Sequence, residues 1–149
     1  MRARHRVRDT EAMYILHQSP NHYNGVIALR QDPKTTLIWC DSMQYDGTRA
    51  LLTYAQYYHF MEGLKRPKNF QQTRHYTSSL EIQIRYPWLP YQENGMDCGI
   101  FTLTYRKALS KWYGEAVGHN FTEVWIEKLI KELQAVKQPK VTDHRTWLR

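Results

Sequence analysis

At 149 residues, with 42% hydrophobic and 13% aromatic side chains, the chain is long enough to bury one core and too apolar to stay disordered. No apolar run reaches the length of a membrane span, and none follows the basic start Met1-Arg2-Ala3-Arg4-His5-Arg6, so neither a membrane span nor a secretory signal is expected. The formal charge of +7 implies acidic partners, whether an acidic protein surface, nucleic acid or a membrane face; without a nucleic-acid-binding motif beside it, an acidic protein partner or simple solubility is preferred to nucleic acid, and no membrane partner is expected.

Residues 1–12 are basic and read as a flexible N-terminus, residues 137–149 as a basic tail, and residues 13–136 as a single domain. Met13-Tyr14-Ile15-Leu16 is a short apolar run suited to a strand, and His17-Gln18-Ser19-Pro20-Asn21 reads as a loop because Pro20 biases it away from helix. Gly25-Val26-Ile27-Ala28-Leu29-Arg30 and Thr36-Leu37-Ile38-Trp39-Cys40-Asp41 are apolar on consecutive positions, as strands covered on both faces are. The short turn Gln31-Asp32-Pro33-Lys34 joins them as an antiparallel hairpin. Residues 46–64 carry Leu51, Tyr54, Ala55, Tyr58 and Met61 at helical spacing, a stripe that reads as core packing. Residues 65–78 are a polar link, and residues 80–86 alternate strictly, as a half-exposed strand does. A last helix is expected over about 121–136, starting behind Asn120 with Glu123 in capping-box position. The sum is an α+β fold: a small, mostly antiparallel central sheet flanked by helices.

Residues 89–101 carry the chemistry. They read as the end of a buried strand, an Asn94-Gly95 turn, and a helix that begins at Cys98 behind the N-cap residue Asp97. This helix is expected to run to about Tyr113 and stop before Gly114. A cysteine in the first turn meets free N–H groups and the positive end of the helix dipole, which favour thiolate over thiol. Gln92, six residues before Cys98, can direct an amide donor at an acyl oxygen that gains negative charge. The hairpin adds a base: His22 and Asp41 are equidistant from its turn and should lie side by side, so that the carboxylate orients the imidazole. Against this stands the plainer reading, in which a cysteine at a helix start is a small buried hydrophobe and the Asn-Gly turn is commonplace.

His22-Tyr23 before a strand, Asp41-Ser42 after the next, and Gln92-Glu93-Asn94-Gly95-Met96-Asp97-Cys98-Gly99 before a helix together resemble the ubiquitin-like-protein-specific proteases. These SUMO- and NEDD8-deconjugating cysteine proteases share a fold with the adenoviral maturation protease, and the resemblance extends over roughly residues 13–135. It implies a cysteine proteinase-like domain in which Cys98 is the nucleophile, His22 the base, Asp41 its orienting acid and Gln92 the oxyanion donor. The implied substrate is the C-terminal diglycine of a ubiquitin-like modifier, joined to a target lysine or to its own propeptide. Tyr23 stands where the family usually has Trp as the roof of the diglycine channel, and Trp88 is a candidate for the missing aromatic wall. The family also carries a helical segment before the histidine, whereas 21 residues precede His22, so a fragment, a minimal version or a relative with other substrates is expected.

His17 is the nearest rival base, in the expected loop and off the position facing Asp41. His119 and His144 follow the cysteine, as in papain-like enzymes, but neither precedes a strand-like run; His5, His59 and His75 have no partners at meaningful spacing. No Cys/His pairs sit at zinc-ligand spacings, and no cofactor is implied. Ser42 lacks a Gly-x-Ser-x-Gly elbow, and Cys40, inside an apolar strand, reads as an inert core residue. Two cysteines are too few for a disulfide framework and suggest a reducing intracellular compartment, nuclear or cytoplasmic, in a host cell if the source is viral or bacterial. Three other functions share these residues: a viral-type polyprotein maturation protease, an acetyltransferase with a similar His/acid/Cys set, and a catalytically silent protein-binding module.

Overall fold

The computed structural model describes residues 10–31, 33–43, 49–61, 81–93 and 97–136. Among them lie four strands, β1 (Thr10–Ser19), β2 (His22–Gln31), β3 (Lys34–Cys40) and β4 (Glu81–Arg85), and three helices, α1 (Arg49–Met61), α2 (Cys98–Ala116) and α3 (Glu123–Gln134). The strands form one mixed sheet in the order β1-β2-β3-β4, antiparallel at the first two pairings and parallel at the third. The class is α+β. The parallel pairing follows from connectivity: tight turns reverse the chain between the first three strands, whereas α1 lies between β3 and β4 and allows the crossover that a parallel pair needs.

The consecutive apolar residues of β2 and β3 serve two cores. Val26, Ala28, Leu37 and Trp39 pack under α1 against Ala50 and Tyr54, with Ile82 and Ile84 of β4 alongside. Ile27, Leu29, Ile38 and Cys40 face the other way, onto Phe101, Tyr105 and Trp112 of α2 and Ile126, Leu129 and Leu133 of α3. Each large apolar side chain so buried stabilises the fold by about 1.5–3 kcal/mol. At the far end of that layer the Trp112 indole N–H donates to the Trp125 carbonyl at 2.8 Å, which joins α2 to α3 through a buried polar group. Arg85 reaches from β4 to Glu123, at 2.6 Å, and to Glu127 on α3.

Several boundaries differ from the sequence reading. β1 takes in Thr10, Glu11 and Ala12, expected in the flexible N-terminus but paired with Gln31, Arg30 and Leu29, and also His17, Gln18 and Ser19, which were expected in a loop; only Pro20 and Asn21 form the turn, with Asn21 at φ 66°. Pro20 keeps its predecessor out of the helical region, and a strand satisfies that bias as well as a loop does. Proline followed by a left-handed residue is the pattern of a type II turn. α1 lies within the expected 46–64, of which residues 46–48 and 62–64 lie outside the described residues. The strand expected to end at Leu89 does not form: β4 ends at Arg85, and residues 86–92 are irregular although Leu89 itself is buried. α2 continues through Gly114 to Ala116, because buried Trp112 and Ala116 hold its last turn to the core while Gly114 faces outward; the break comes at Gly118, φ 88°. The capping box expected at Asn120 and Glu123 is absent, since Thr122 is the N-cap of α3 and makes no side-chain cap. Instead the Gln31 side chain, at the end of β2, holds this loop: its Nε2 donates to Asn120 Oδ1 at 3.2 Å and its Oε1 accepts from the Phe121 N–H at 3.0 Å. The polar link at 65–78, the Asn94-Gly95 turn, the basic residues 1–9 and the tail at 137–149 lie outside the described residues. No described helix is long and apolar enough to cross a membrane.

One glycine is required by a close approach. A Cβ on Gly25 would come within 2.6 Å of the Ile15 carbonyl oxygen and 2.7 Å of the Tyr14 ring, which lies over β2 at this point. Gly25→Ala is therefore expected to destabilise the fold by about 1–3 kcal/mol, as overpacking does, with a lowered urea midpoint as the measurement.

Candidate active site

The strand register assembles the polar residues at one end of the sheet. In the β1–β2 pairing His17 stands opposite Asn24, and in the β2–β3 pairing the last partners are Gly25 and Cys40. One step further brings Asn24, not His22, opposite Asp41. The expectation that His22 faces Asp41 directly is thus corrected: the turn centres between residues 32 and 33, because Gln31 pairs with Lys34. His22 nevertheless reaches Asp41 along the diagonal, a distance open to long side chains on the same face. Its Nε2 lies 2.7 Å from Asp41 Oδ1, with both side chains almost fully buried.

Asp41 is held from three directions. Oδ1 accepts from His22 and from the Met43 backbone N–H at 2.9 Å, and Oδ2 accepts from Asn24 Nδ2 at 3.1 Å. Because Nε2 of His22 is engaged by the carboxylate, chemistry at the imidazole falls to Nδ1.

Cys98 enters from the other element. It is the first residue of α2, and the N–H groups of Cys98, Gly99 and Ile100 precede the first helical bond, which Phe101 N–H makes to the Asp97 carbonyl at 3.0 Å. Asp97 occupies the N-cap position but makes no capping hydrogen bond with its side chain. Sγ of Cys98 accepts the backbone N–H of Tyr23 at 3.4 Å. The sulfur thus sits one peptide unit from His22. Cys98 and His22, separated by 76 positions in the chain, belong to one constellation with Asp41.

Gln92 is buried to 1% exposure, and its oxygen Oε1 accepts a hydrogen bond from the Ser42 hydroxyl. Its backbone N–H donates to the Ser42 carbonyl at 2.8 Å. Anchoring the oxygen fixes the amide plane and with it the direction of the two Nε2 hydrogens. Ser42 is therefore the anchor of Gln92, not an exposed hydroxyl, which agrees with its weak standing as a nucleophile.

The two candidate substrate-binding aromatics separate. Tyr23, 39% exposed, lines a groove of about 280 Å³ with Tyr14, Leu16, Gly99, Thr102, Leu103 and Arg106. Trp88, 65% exposed in the irregular stretch before Leu89, is not among the residues lining it. His17 pairs with Asn24, its Nδ1 2.9 Å from Oδ1, and lies beside the Trp39 ring at a centroid distance of 6.4 Å. His119 stacks on Trp125 beyond the C-terminal end of α2, a helix length of about 28 Å from Cys98. His5, His75 and His144 fall outside the described residues. Cys40 is fully buried; that burial first, and the neighbouring Asp41 charge second, push its thiol well above the ordinary range. Burial likewise raises the phenols of Tyr14 and Tyr105, with Cys40 and Asp41 adding to it.

Three participants were missed in the sequence: Asn24, Ser42 as an anchor, and the Tyr23 backbone N–H. Asn24 had a findable signal, since it lies two residues after His22 on the same face of a strand. The other two depend on contacts between remote segments. No protein-family model matches the chain, and no curated protein matches it either.

The Ser42–Gln92 contact has a measurable consequence. Ser42→Ala removes the donor from a buried amide oxygen and is expected to cost about 1–3 kcal/mol in chemical denaturation.

Proposed function

We propose that the chain is a cysteine peptidase of the ubiquitin-like-protein-specific protease type, cleaving after the C-terminal diglycine of a ubiquitin-like modifier. The observation that carries this reading is the Tyr23 N–H contact to Cys98 Sγ at 3.4 Å, beside a His22 held by Asp41 at 2.7 Å. The matching signature residues from Gln92 to Gly99 support it.

In this reading His22 Nδ1 takes the Cys98 proton as Sγ bonds to the scissile carbonyl carbon, and the carbonyl electron pair moves onto oxygen. The Cys98 N–H at the start of α2 and the Gln92 amide stabilise that oxygen anion. Collapse expels the amine, protonated by the imidazolium, and leaves a thioester. Water then attacks the thioester with His22 again as base, giving the free carboxylate and the regenerated thiol. Asp41 keeps the imidazole in the tautomer that presents Nδ1 and stabilises its charged form.

The groove beside Tyr23 favours one second reading. Leu16, Tyr23 and Leu103 are 53%, 39% and 41% exposed along it, which suits substrate side chains larger than glycine and hence polyprotein cleavage of the viral-maturation type. A panel of ubiquitin-like modifiers carrying a C-terminal electrophile separates the two. Labelling of Cys98 by one member, lost in Cys98→Ser and in His22→Ala, is the result expected of a deconjugating enzyme. Cleavage of peptide libraries with large residues at the scissile bond, with no modifier labelling, selects the second reading. Consumption of acetyl-CoA would select a transferase, and no reaction of a folded protein a binding module. With a turnover assay in hand, Gln92→Ala is expected to lower kcat by about 10²–10³-fold, and a loss under about threefold removes its amide from the mechanism.

A further inference from the structure

We propose that Asn24 is a positioning residue for the Cys98–His22–Asp41 constellation, locked in place by His17. This rests on the reading of those three groups as nucleophile, base and orienting acid.

Asp41 could rotate about its terminal torsion and exchange its two oxygens, because that torsion is broad and two-fold. Donors on both oxygens prevent it. Oδ1 holds His22 Nε2 and the Met43 N–H, and Oδ2 holds Asn24 Nδ2 at 3.1 Å, so any turn of the carboxylate breaks a bond at each end. Asn24 thereby keeps Oδ1 on the imidazole.

Asn24 is in turn fixed by what surrounds it. It is 3% exposed, and a carboxylate oxygen accepts, so the atom facing Oδ2 is the NH2. The amide oxygen then faces His17 Nδ1 at 2.9 Å, and that nitrogen must carry its proton. His17 stands directly opposite Asn24 in the β1–β2 register. One row from β1 through β2 to the residue after β3 thus reads His17 to Asn24 to Asp41, with His17 donating to Asn24 and Asn24 to the carboxylate. Neither His17 nor Asn24 touches the sulfur in this arrangement; both act through Asp41 and His22.

The test uses iodoacetamide as the probe, with the rate of Cys98 alkylation at neutral pH read by mass spectrometry and buried Cys40 as the internal reference. His22→Ala sets the scale: if it alkylates Cys98 as fast as wild type, the underlying reading of the site fails. Given a slow His22→Ala, Asn24→Ala is expected to be about 10-fold slower than wild type or more, since small displacements of reacting groups cost on that order. Asn24→Asp keeps the size and the bond to His17 but replaces the donor by an acceptor; it is expected to be at least as slow, and it carries the test if Asn24→Ala does not fold. His17→Ala should be mild, about threefold, and His17→Asn, whose amide N–H can donate in place of the imidazole Nδ1–H, near wild type. In the His22→Ala background Asn24→Ala should have no further effect, an outcome that a purely structural role would not produce. Wild-type rates in both Asn24 variants, or losses that persist in full without His22, overturn the proposal.

Discussion

The site exists because the N-terminal end of α2 docks against the start of β2, where the Tyr23 N–H meets Cys98 Sγ. That contact depends on the rest of α2. Phe101, Tyr105, Leu109, Trp112 and Ala116 bury one stripe of the helix on the sheet and on α3, and this fixes the axis that carries Cys98 to the strand end. A helix attached only at its tip would spend its first turn fraying. Here the tip is held by a core that extends the length of the helix.

A second constraint is the concentration of polar groups where two apolar layers end. Asp41, His22, Asn24, Ser42 and Gln92 are all buried, and burying such groups is costly unless each finds a partner. Most partners come from one another: Asp41 accepts from His22 and Asn24 as well as from the Met43 backbone N–H, and Ser42 donates to Gln92. Interlocked polar groups of this kind have few alternative arrangements, which favours a single geometry over several. Cys40 shows the contrast. It lies beside Asp41 yet points into the core, where burial keeps it a thiol, while Cys98 receives a hydrogen bond at the strand end.

Much of the site could be read from the chain because its members are carried by elements with strong local signals. The runs of β2 and β3 and the turn between them put His22 near Asp41, and the residues from Asp97 onward placed Cys98 at a helix start. The pairing was right in outcome and wrong in register: His22 meets Asp41 diagonally, while Asn24 holds the opposite position. A hairpin's register follows from which turn residues pair, and a proline-containing turn does not state that locally. The extension of β1 through His17 was missed for a similar reason. Nothing in His17, Gln18 and Ser19 alone favours a strand; pairing with Asn24, Tyr23 and His22 does.

By itself, then, the sequence determined the α+β class, the antiparallel hairpin, the amphipathic helices and the start of α2 at Cys98, since hydrophobic period, turn residues and capping positions are short-range signals. Only the tertiary structure decided that β4 joins β3 in parallel, that Gln31 instead of a capping box holds the loop before α3, that Ser42 anchors Gln92, and that Asn24 links His17 to Asp41. The first three join segments far apart in the chain, whose contacts form only after both apolar layers have closed and set the distances between them. The fourth joins neighbouring strands, and strand register, which local sequence does not state, decides it.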